Sequence, residues 1–386
     1  MKHKILSYLI DNGDSPISAM SKSLDYCIPT ITKYLELLRD QGYVKVVGTG
    51  SSQRGRKAAI WSICDDGPRF LGVDVKQFSI QFCLISLSGK PILEKEYKDF
   101  RFDNTPAVFE QVCSIISAFI DSVEGLRQHL VMTCVTIGGR VSSATGESFS
   151  IFKFEENGDT PLSTLFSSRI GNPVMIQNDT QAMTYGEWQH CRRNEQNMIF
   201  LNVSWGLGMG LIIGGKPYSG ANGYAGEIGH INAYPNERIC HCGKKGCLET
   251  EISISAIVHT LEENILKGKS SLLSPILHEK HNLTVEDLHR AIEEEDPLAI
   301  ETVEACGSEL GRWVANLINI FNPQSVIIGG ELTNAGNYFL MPIEVAMRKY
   351  ALKLIARDVT VAHSCLGGKC GAIGAALLAR DREMAI

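Results

Sequence analysis

No stretch of the 386-residue chain approaches the ~18 consecutive apolar residues needed to cross a membrane, so no membrane partner is expected. Nor is a secretory leader expected. Lys2 and Lys4 precede only six mostly apolar residues before Asp11-Asn-Gly-Asp14, and the expected location is cytoplasmic. Cysteine is not scarce, at twelve residues, but a paired framework is missing. Cys27, Cys64, Cys83, Cys113, Cys134, Cys191 and Cys306 are scattered through apolar surroundings and read as reduced, buried thiols. Cys365 and Cys370, near His363, imitate a metal set, yet the Leu-Gly-Gly-Lys between them fits a loop equally well. Nor is the composition biased: 44% hydrophobic and 21% charged residues are ordinary for a soluble globular protein. The length exceeds what one compact core holds and implies two or three domains.

The net charge of −6 hides an asymmetry. Residues 1–64 carry nine Lys/Arg against five Asp/Glu, a net +4, which leaves −10 for the rest. A small basic module on an acidic body suits a nucleic-acid-binding domain joined to a sensor.

What is present, and most informative, is Glu227-Ile-Gly-His230 followed by Cys240-His-Cys242-Gly-Lys-Lys-Gly-Cys247-Leu-Glu249. Three cysteines and a histidine fall within 18 residues, separated by glycine-bearing turns. His230, Cys240, Cys242 and Cys247 form the Cys₃His set of a closed structural Zn²⁺ site, one per chain, because four soft and borderline ligands fill a tetrahedron. The alternative is an unrelated histidine among buried thiols. Cys-x-Cys-x₄-Cys with glycine at the turns is rarely core packing. A metal pinning this loop between Glu227 and Glu249 would present both carboxylates to one polar ligand.

Residues 1–65 read as a winged helix-turn-helix. Ile5, Leu6, Leu9 and Ile10 repeat at helical spacing up to Asn12-Gly13. Ser15-Pro-Ile-Ser18 opens a second helix, with Ser18 as its N-cap. A third helix begins near Ile28-Pro29, where proline suits the first position, and turns Ile31, Leu35 and Leu38 inward. Pro29, Thr30, Thr32, Lys33 and Tyr34 lie near its start, where a helix entering the major groove meets base edges. Tyr43–Val47 and Ala58–Ile63 read as two strands around a basic tip, whose Arg54, Arg56 and Lys57 would meet phosphate or the minor groove. A helical protein-interaction module with a solvated basic loop is the competing assignment.

From about residue 70, apolar strands alternate with helices. Strands are expected at 70–75, 79–86, 91–95, 130–137, 173–176, 198–203, 211–213 and 325–328. Helices are expected at 106–124, 180–190, 251–266, 285–292 and 296–320, with a loop or short helix at 267–282. The pattern is α/β, with loops at strand ends supplying the site.

Gly220-Ala-Asn-Gly-Tyr-Ala-Gly-Glu-Ile-Gly-His230 with the cysteine knot resembles the signature of the ROK family (repressors, open reading frames and sugar kinases). Asn178-Asp179, the glycine-rich segment 206–210 and Asn322-Pro-Gln-Ser-Val-Ile-Ile-Gly-Gly330 match in order. The N-terminal winged helix is similar to that of the family's repressors. The resemblance implies a two-lobed, actin-like fold of RNase-H-like topology in the ATPase superfamily, a structural zinc and a sugar in the cleft. It divides the chain into the winged module at 1–65, a small lobe at 66–179 completed by about 371–386, and a large lobe at 180–370. The large lobe would carry the sugar site, the zinc knot and the oligomerisation surface. Asn178, Asp179, Glu227, His230 and Glu249 are then the sugar-binding set. Asp179 holds the family's catalytic-base position, although an N-cap role for the following helix is also open to it.

The family's phosphate loops read D-x-G-G-T and G-T-G-x-G. Here they read Asp74-Val-Lys-Gln-Phe78 and Ser204-Trp-Gly-Leu-Gly-Met-Gly210, so ATP is not expected to bind and no catalytic residue is assigned. Gly206, Gly208 and Gly210 read instead as a strand-to-strand turn. The expected function is a sugar-responsive repressor of carbohydrate genes, a homodimer or homotetramer on a two-fold symmetric double-stranded DNA operator. Its effector would be a sugar or sugar phosphate. The alternatives are an ATP-dependent, glucokinase-like sugar kinase with an appended DNA module, and a scaffold regulated by a protein partner.

Overall fold

The computed structural model describes residues 1–49, 58–155 and 158–384. The chain divides into two compact units, one formed by Met1–Ala182 with Gly371–Ile386 and the other by Met183–Cys370.

The first unit opens with three helices, Lys2–Asn12, Ile17–Leu24 and Ile28–Asp40, followed by strands Val44–Thr49 and Ala59–Ile63. Ile5, Leu6, Leu9, Met20, Ile31, Leu35 and Leu38 meet Val44, Trp61 and Ile63 in one small core, as the helical spacing requires. One expectation fails here. Ser18 lies inside the second helix, not at its cap. Ser15 and Pro16 are drawn into an edge strand opposite Trp61 and Ile60, so the helix starts at Ile17.

The larger part of this unit is a five-stranded sheet in the order Val174–Asn178, Leu130–Ile137, Arg69–Val75, Ile80–Ser86, Pro91–Tyr97. The last three strands in that order form an antiparallel meander, and the first two add in parallel on its other side. Helices Pro106–Ser122 and Leu162–Ile170 pack on the sheet through Phe109, Phe166 and Phe119, the last stacked 4.3 Å from Phe82. The C-terminal helix Cys370–Met384 presses against the central strand at Gly72. A Cβ there would stand 1.9 Å from the Ala372 carbonyl oxygen, so only glycine permits this approach.

The second unit repeats the same sheet plan, in the order Lys216–Pro217, Leu207–Ile213, Asn197–Val203, Ser325–Gly329, Thr360–His363. Again three antiparallel strands are extended by two parallel ones. Both sheets thus have the RNase-H-like order implied by the resemblance. Helices Ile254–Leu266 and Asn337–Tyr350 both pack on the long helix Pro297–Phe321. The expected glycine turn at 206–210 is shorter than its sequence suggested. Gly208 and Gly210 belong to the strand, opposite Asn202 and Phe200, and the turn is confined to 204–206. At Gly210 a side chain is excluded because Thr184 Oγ1 lies 1.8 Å from where its Cβ would be.

Replacing Gly72 with alanine should lower the denaturation midpoint, because backbone cannot move aside as a flexible side chain does; overpacking of this kind costs about 1–3 kcal/mol. Gly48→Ala, with no atom within 4 Å of the added carbon, is the control and should shift the midpoint little. Equal midpoints for the two variants would contradict the packing described.

Candidate functional site

The cysteine-bearing segment is held by its own backbone. Cys247 bridges to Asn232, and Ile239 bridges to Lys245. Ala233 and Tyr234 N–H groups both donate to the Gly246 carbonyl, at 2.7 and 3.1 Å. Tyr234 ties the segment to the long helix: its hydroxyl donates to Glu309 at 2.6 Å and accepts from Trp313 Nε1 at 3.4 Å.

This folding brings His230, Cys240, Cys242 and Cys247 together, with all four ligand atoms within 4.8 Å of one another. His230 Nδ1 lies 3.5 Å from Cys240 Sγ, and Cys242 Sγ lies 3.6 Å from Cys247 Sγ. Ligands about 2.0–2.3 Å from a tetrahedral zinc stand about 3.3–3.8 Å apart, and these two distances fall in that range. Burial pushes the Cys240 and Cys247 thiols up. Burial also acts on Cys242, but the Lys244 backbone N–H and the neighbouring thiols outweigh it and lower its pKa. The four residues can hold a metal. A second grouping, Cys240 with His241 and Glu249, meets the same distance test. Sequence reasoning passed over His241, although its place between two ligands of the knot was visible.

The flanking carboxylates differ in setting. Glu227 precedes a 3₁₀ turn, Ile228–His230, and is 38% exposed at its side chain, with its Oε2 3.7 Å from His230 Nε2. Glu249 is buried. Its Oε2 accepts from the Leu207 N–H at 2.9 Å, and its Oε1 lies 3.0 Å from His241 Nδ1 and 3.6 Å from Cys240 Sγ. Burial alone would raise its pKa, but His241, the Leu207 N–H and nearby His230 hold it below the usual carboxylate range. Glu249 therefore joins the cysteine cluster to the start of the strand Leu207–Ile213.

Asn178 and Asp179 lie at the strand-to-helix junction of the other unit. Asn178, not Asp179, caps the helix: its Oδ1 accepts from the Gln181 N–H at 3.0 Å, while its Nδ2 donates to the Gly139 carbonyl at 3.0 Å. Asp179 is the first residue of the helix Asp179–Cys191, and its Oδ1 accepts from the Thr180 N–H at 2.7 Å.

Both segments aligned with phosphate loops spend backbone donors internally. Lys76 N–H donates to Ser79 O at 2.9 Å, and Gln77 O accepts from Phe102 N–H at 2.8 Å. Asp74, ahead of this turn, is buried and accepts from Thr136 Oγ1 at 2.7 Å; burial raises its pKa against the pull of Lys76 and Thr136. In the second segment Ser204 N–H donates to Gly206 O and Leu207 N–H to Glu249.

In the N-terminal module Pro29 and Lys33 are exposed at the start of the third helix, and Thr30, Thr32 and Tyr34 are half-buried. Thr32 Oγ1 donates to Ile28 O, and Thr30 Oγ1 lies 3.0 Å from Cys27 Sγ. Arg54, Arg56 and Lys57 lie outside the described residues. Elsewhere some of the scattered thiols differ from expectation. Cys27 is exposed, Cys64 is half-buried, and Cys191 is exposed and bonded to Cys365. Cys370 donates to Met183 O, so residues 365 and 370 do not share a metal set.

The family model described as the ROK family matches residues 70–382. The DNA-binding transcriptional dual regulator NagC of Escherichia coli K12 is 30% identical over 91% of this chain and 85% of its own length. A glucokinase of Halalkalibacterium halodurans is 28% identical, over 81% of this chain and 96% of its own. Among solved structures, a ROK family transcriptional regulator described as a homologue of the E. coli MLC protein superposes with a TM-score of 0.79 at 25% identity. That match covers 99% of this chain and 95% of the other. No described helix is long and apolar enough to cross a membrane. On this evidence the chain belongs to the ROK family.

Proposed function

We propose that this protein is a sugar-responsive, DNA-binding repressor that holds its sugar without phosphorylating it. The observation that carries this reading is the three-helix, winged module at residues 1–65, which places exposed Pro29 and Lys33 at the start of its third helix. The two regulators named above align over 91% and 99% of this chain, whereas the glucokinase aligns over 81%. The body supports the same reading. In the segments that resemble the phosphate loops the Lys76, Ser204 and Leu207 N–H groups are bonded within the protein, and Trp205 stands where the family has a threonine. Residues 66–179 with 371–386 would act as the small lobe and 180–370 as the large one.

Asn178, Asp179, Glu227, His230 and Glu249 are the proposed sugar-facing residues, since carboxylates and amides can each bridge neighbouring hydroxyls. His230, Cys240, Cys242 and Cys247 would hold one structural Zn²⁺, four ligands leaving no position for an activated water. A homodimer or homotetramer would set paired third helices on a two-fold symmetric operator. The sugar would shift DNA affinity only by its difference in affinity for two states of the protein. The second reading, a sugar kinase with an appended DNA module, is favoured by Asp179 at the strand-to-helix junction.

A coupled ATP-consumption assay with glucose, N-acetylglucosamine and xylose, free and phosphorylated, should show no turnover while one of them releases a selected duplex. Turnover at rates of ~1 s⁻¹ or more would establish the kinase instead. For the DNA module, Lys33→Ala or Thr32→Ala should relax sequence preference by about 1–3 kcal/mol at one base position. Arg54→Ala, Arg56→Ala or Lys57→Ala should weaken binding to all duplexes and flatten its salt dependence by about one unit each. Full operator affinity in a chain lacking residues 1–65 would exclude this module as the reader. Metal analysis should find one zinc per chain, lost in Cys242→Ser together with the sugar response. A metal-free wild type with an intact response would refute the site.

A further inference from the structure

The chain enters the second unit at Met183 and leaves it at Cys370, and these two segments are fastened together at three levels. At the boundary the Cys370 thiol donates to the Met183 carbonyl at 2.9 Å. One helical turn further in, Glu187, fully buried at its side chain, accepts from Ser364 Oγ at 2.8 Å and from the Cys365 N–H at 3.0 Å. One more turn along, at the end of helix Asp179–Cys191, Cys191 is bonded to Cys365 across 174 residues of sequence. Cys370 and Glu187 are buried, but Cys191 and Cys365 are both exposed. Two levels of the fastening rest on buried groups and one faces solvent.

We propose that Cys191 and Cys365 form a reversible thiol–disulfide switch that stiffens the two crossing segments when oxidised and weakens the sugar response. Their Cα atoms lie 6.7 Å apart, within the ~4.4–6.8 Å that a disulfide spans. The oxidant is a low-molecular-weight disulfide. One protein thiolate attacks it and releases the first small thiol; the second thiolate then attacks the mixed disulfide and releases the other. The oxidant's S–S bond breaks, one protein S–S bond forms, and the protons of Cys191 and Cys365 leave on the two small thiols. Exposure makes the pair accessible to this exchange, which the buried Cys83, Cys113, Cys134 and Cys306 are not. Glu187 with both cysteines also satisfies the distance test for a metal. We favour the disulfide because the Glu187 oxygens already serve Ser364 and Cys365, and only three ligands are present. Every covalent path between the two units runs through these crossings, so a bond joining them bears on any change that one unit transmits to the other.

The sugar-response arm rests on the regulator reading; the other two arms do not. Full-length protein is equilibrated in glutathione buffers of graded ratio, alkylated, and mapped without reduction. Cys191–Cys365 linked peptides should appear with oxidised glutathione and vanish with reduced glutathione. Hydrogen exchange of residues 183–191 and 364–370 should slow on oxidation in the wild type, and not in Cys191→Ser or Cys365→Ser. The concentration of glucose, N-acetylglucosamine or xylose that releases half of a selected duplex should rise about fivefold or more on oxidation, the lower end of ordinary coupling. Absence of the linked peptides, identical exchange in both states, or a full redox effect in Cys191→Ser would each overturn the proposal. So would a second equivalent of zinc per chain that Cys191→Ser removes. Failure of the reduced wild type to bind any duplex sinks the regulator reading instead and leaves the exchange measurement to decide this one.

Discussion

Glu249 is the side chain around which the second unit's site is arranged. Its carboxylate is buried, which demands partners, and it finds them in two directions. One oxygen fixes the Leu207 N–H at the head of a central strand, and the other faces His241 and Cys240 in the cysteine-bearing segment. A loop of glycines and cysteines with little apolar surface of its own is thereby indexed to a rigid sheet. Removing one partner from such a pair leaves a buried charge unmatched, which is far more costly than the pair is stabilising. The position of the metal-ligand cluster relative to the strand therefore follows from one carboxylate. A metal, once bound, would fix the far side of the same loop.

This arrangement changes what the neighbouring residues can offer a ligand. Glu227 and His230 keep accessible atoms, at 38% and 25% side-chain exposure, while Glu249 has 10% and is engaged at both oxygens. Under the proposed sugar-binding reading, Glu227 and His230 would offer hydroxyls the more accessible atoms of this unit, and Glu249 would contribute beside them while holding the frame. A carboxylate engaged in this way is pre-organised, so little ordering entropy is lost when the ligand arrives.

The fold was legible where local chemistry and burial agree. Continuous apolar strands such as 130–137 and 198–203 could not be anything but sheet interior, and the third helix of the winged module declared itself through Ile31, Leu35 and Leu38. The Cys₃His grouping was equally plain, because its residues are close in sequence as well as in space. What escaped notice depended on distant partners. Ser18 obeys capping preference, yet the pairing of Ser15–Pro16 with a strand more than forty residues away moved the helix start. Asn337–Tyr350 carries Pro342 within it, a residue that argues against a helix interior, and it exposes Met341 and Val345. The bond between Cys191 and Cys365 joins residues 174 apart, and no spacing rule reaches that far. Glu187 looked like any helical glutamate; its complete burial follows only from where Ser364 and Cys365 arrive.

The two altered phosphate-loop segments are not simply eroded. Each is braced by backbone hydrogen bonds: Lys76 N–H donates to Ser79 O and Gln77 O accepts from Phe102 N–H, while Ser204 N–H donates to Gly206 O and Leu207 N–H to Glu249. A loop that binds phosphate must keep backbone N–H groups unpaired and oriented in the absence of ligand, a strained and poorly solvated state that glycine tolerates and bulkier residues do not. Substituting Lys76, Gln77, Phe78 and Trp205 removes the reason to maintain that state, and internal hydrogen bonds then stabilise both turns. The gain in local order has a functional consequence. A kinase uses binding energy chiefly in the transition state, whereas a sensor uses it to separate two ground states. Under the proposed regulator reading, turns that do not wait for a nucleotide would leave a sugar as the small ligand whose unequal affinity sets the balance.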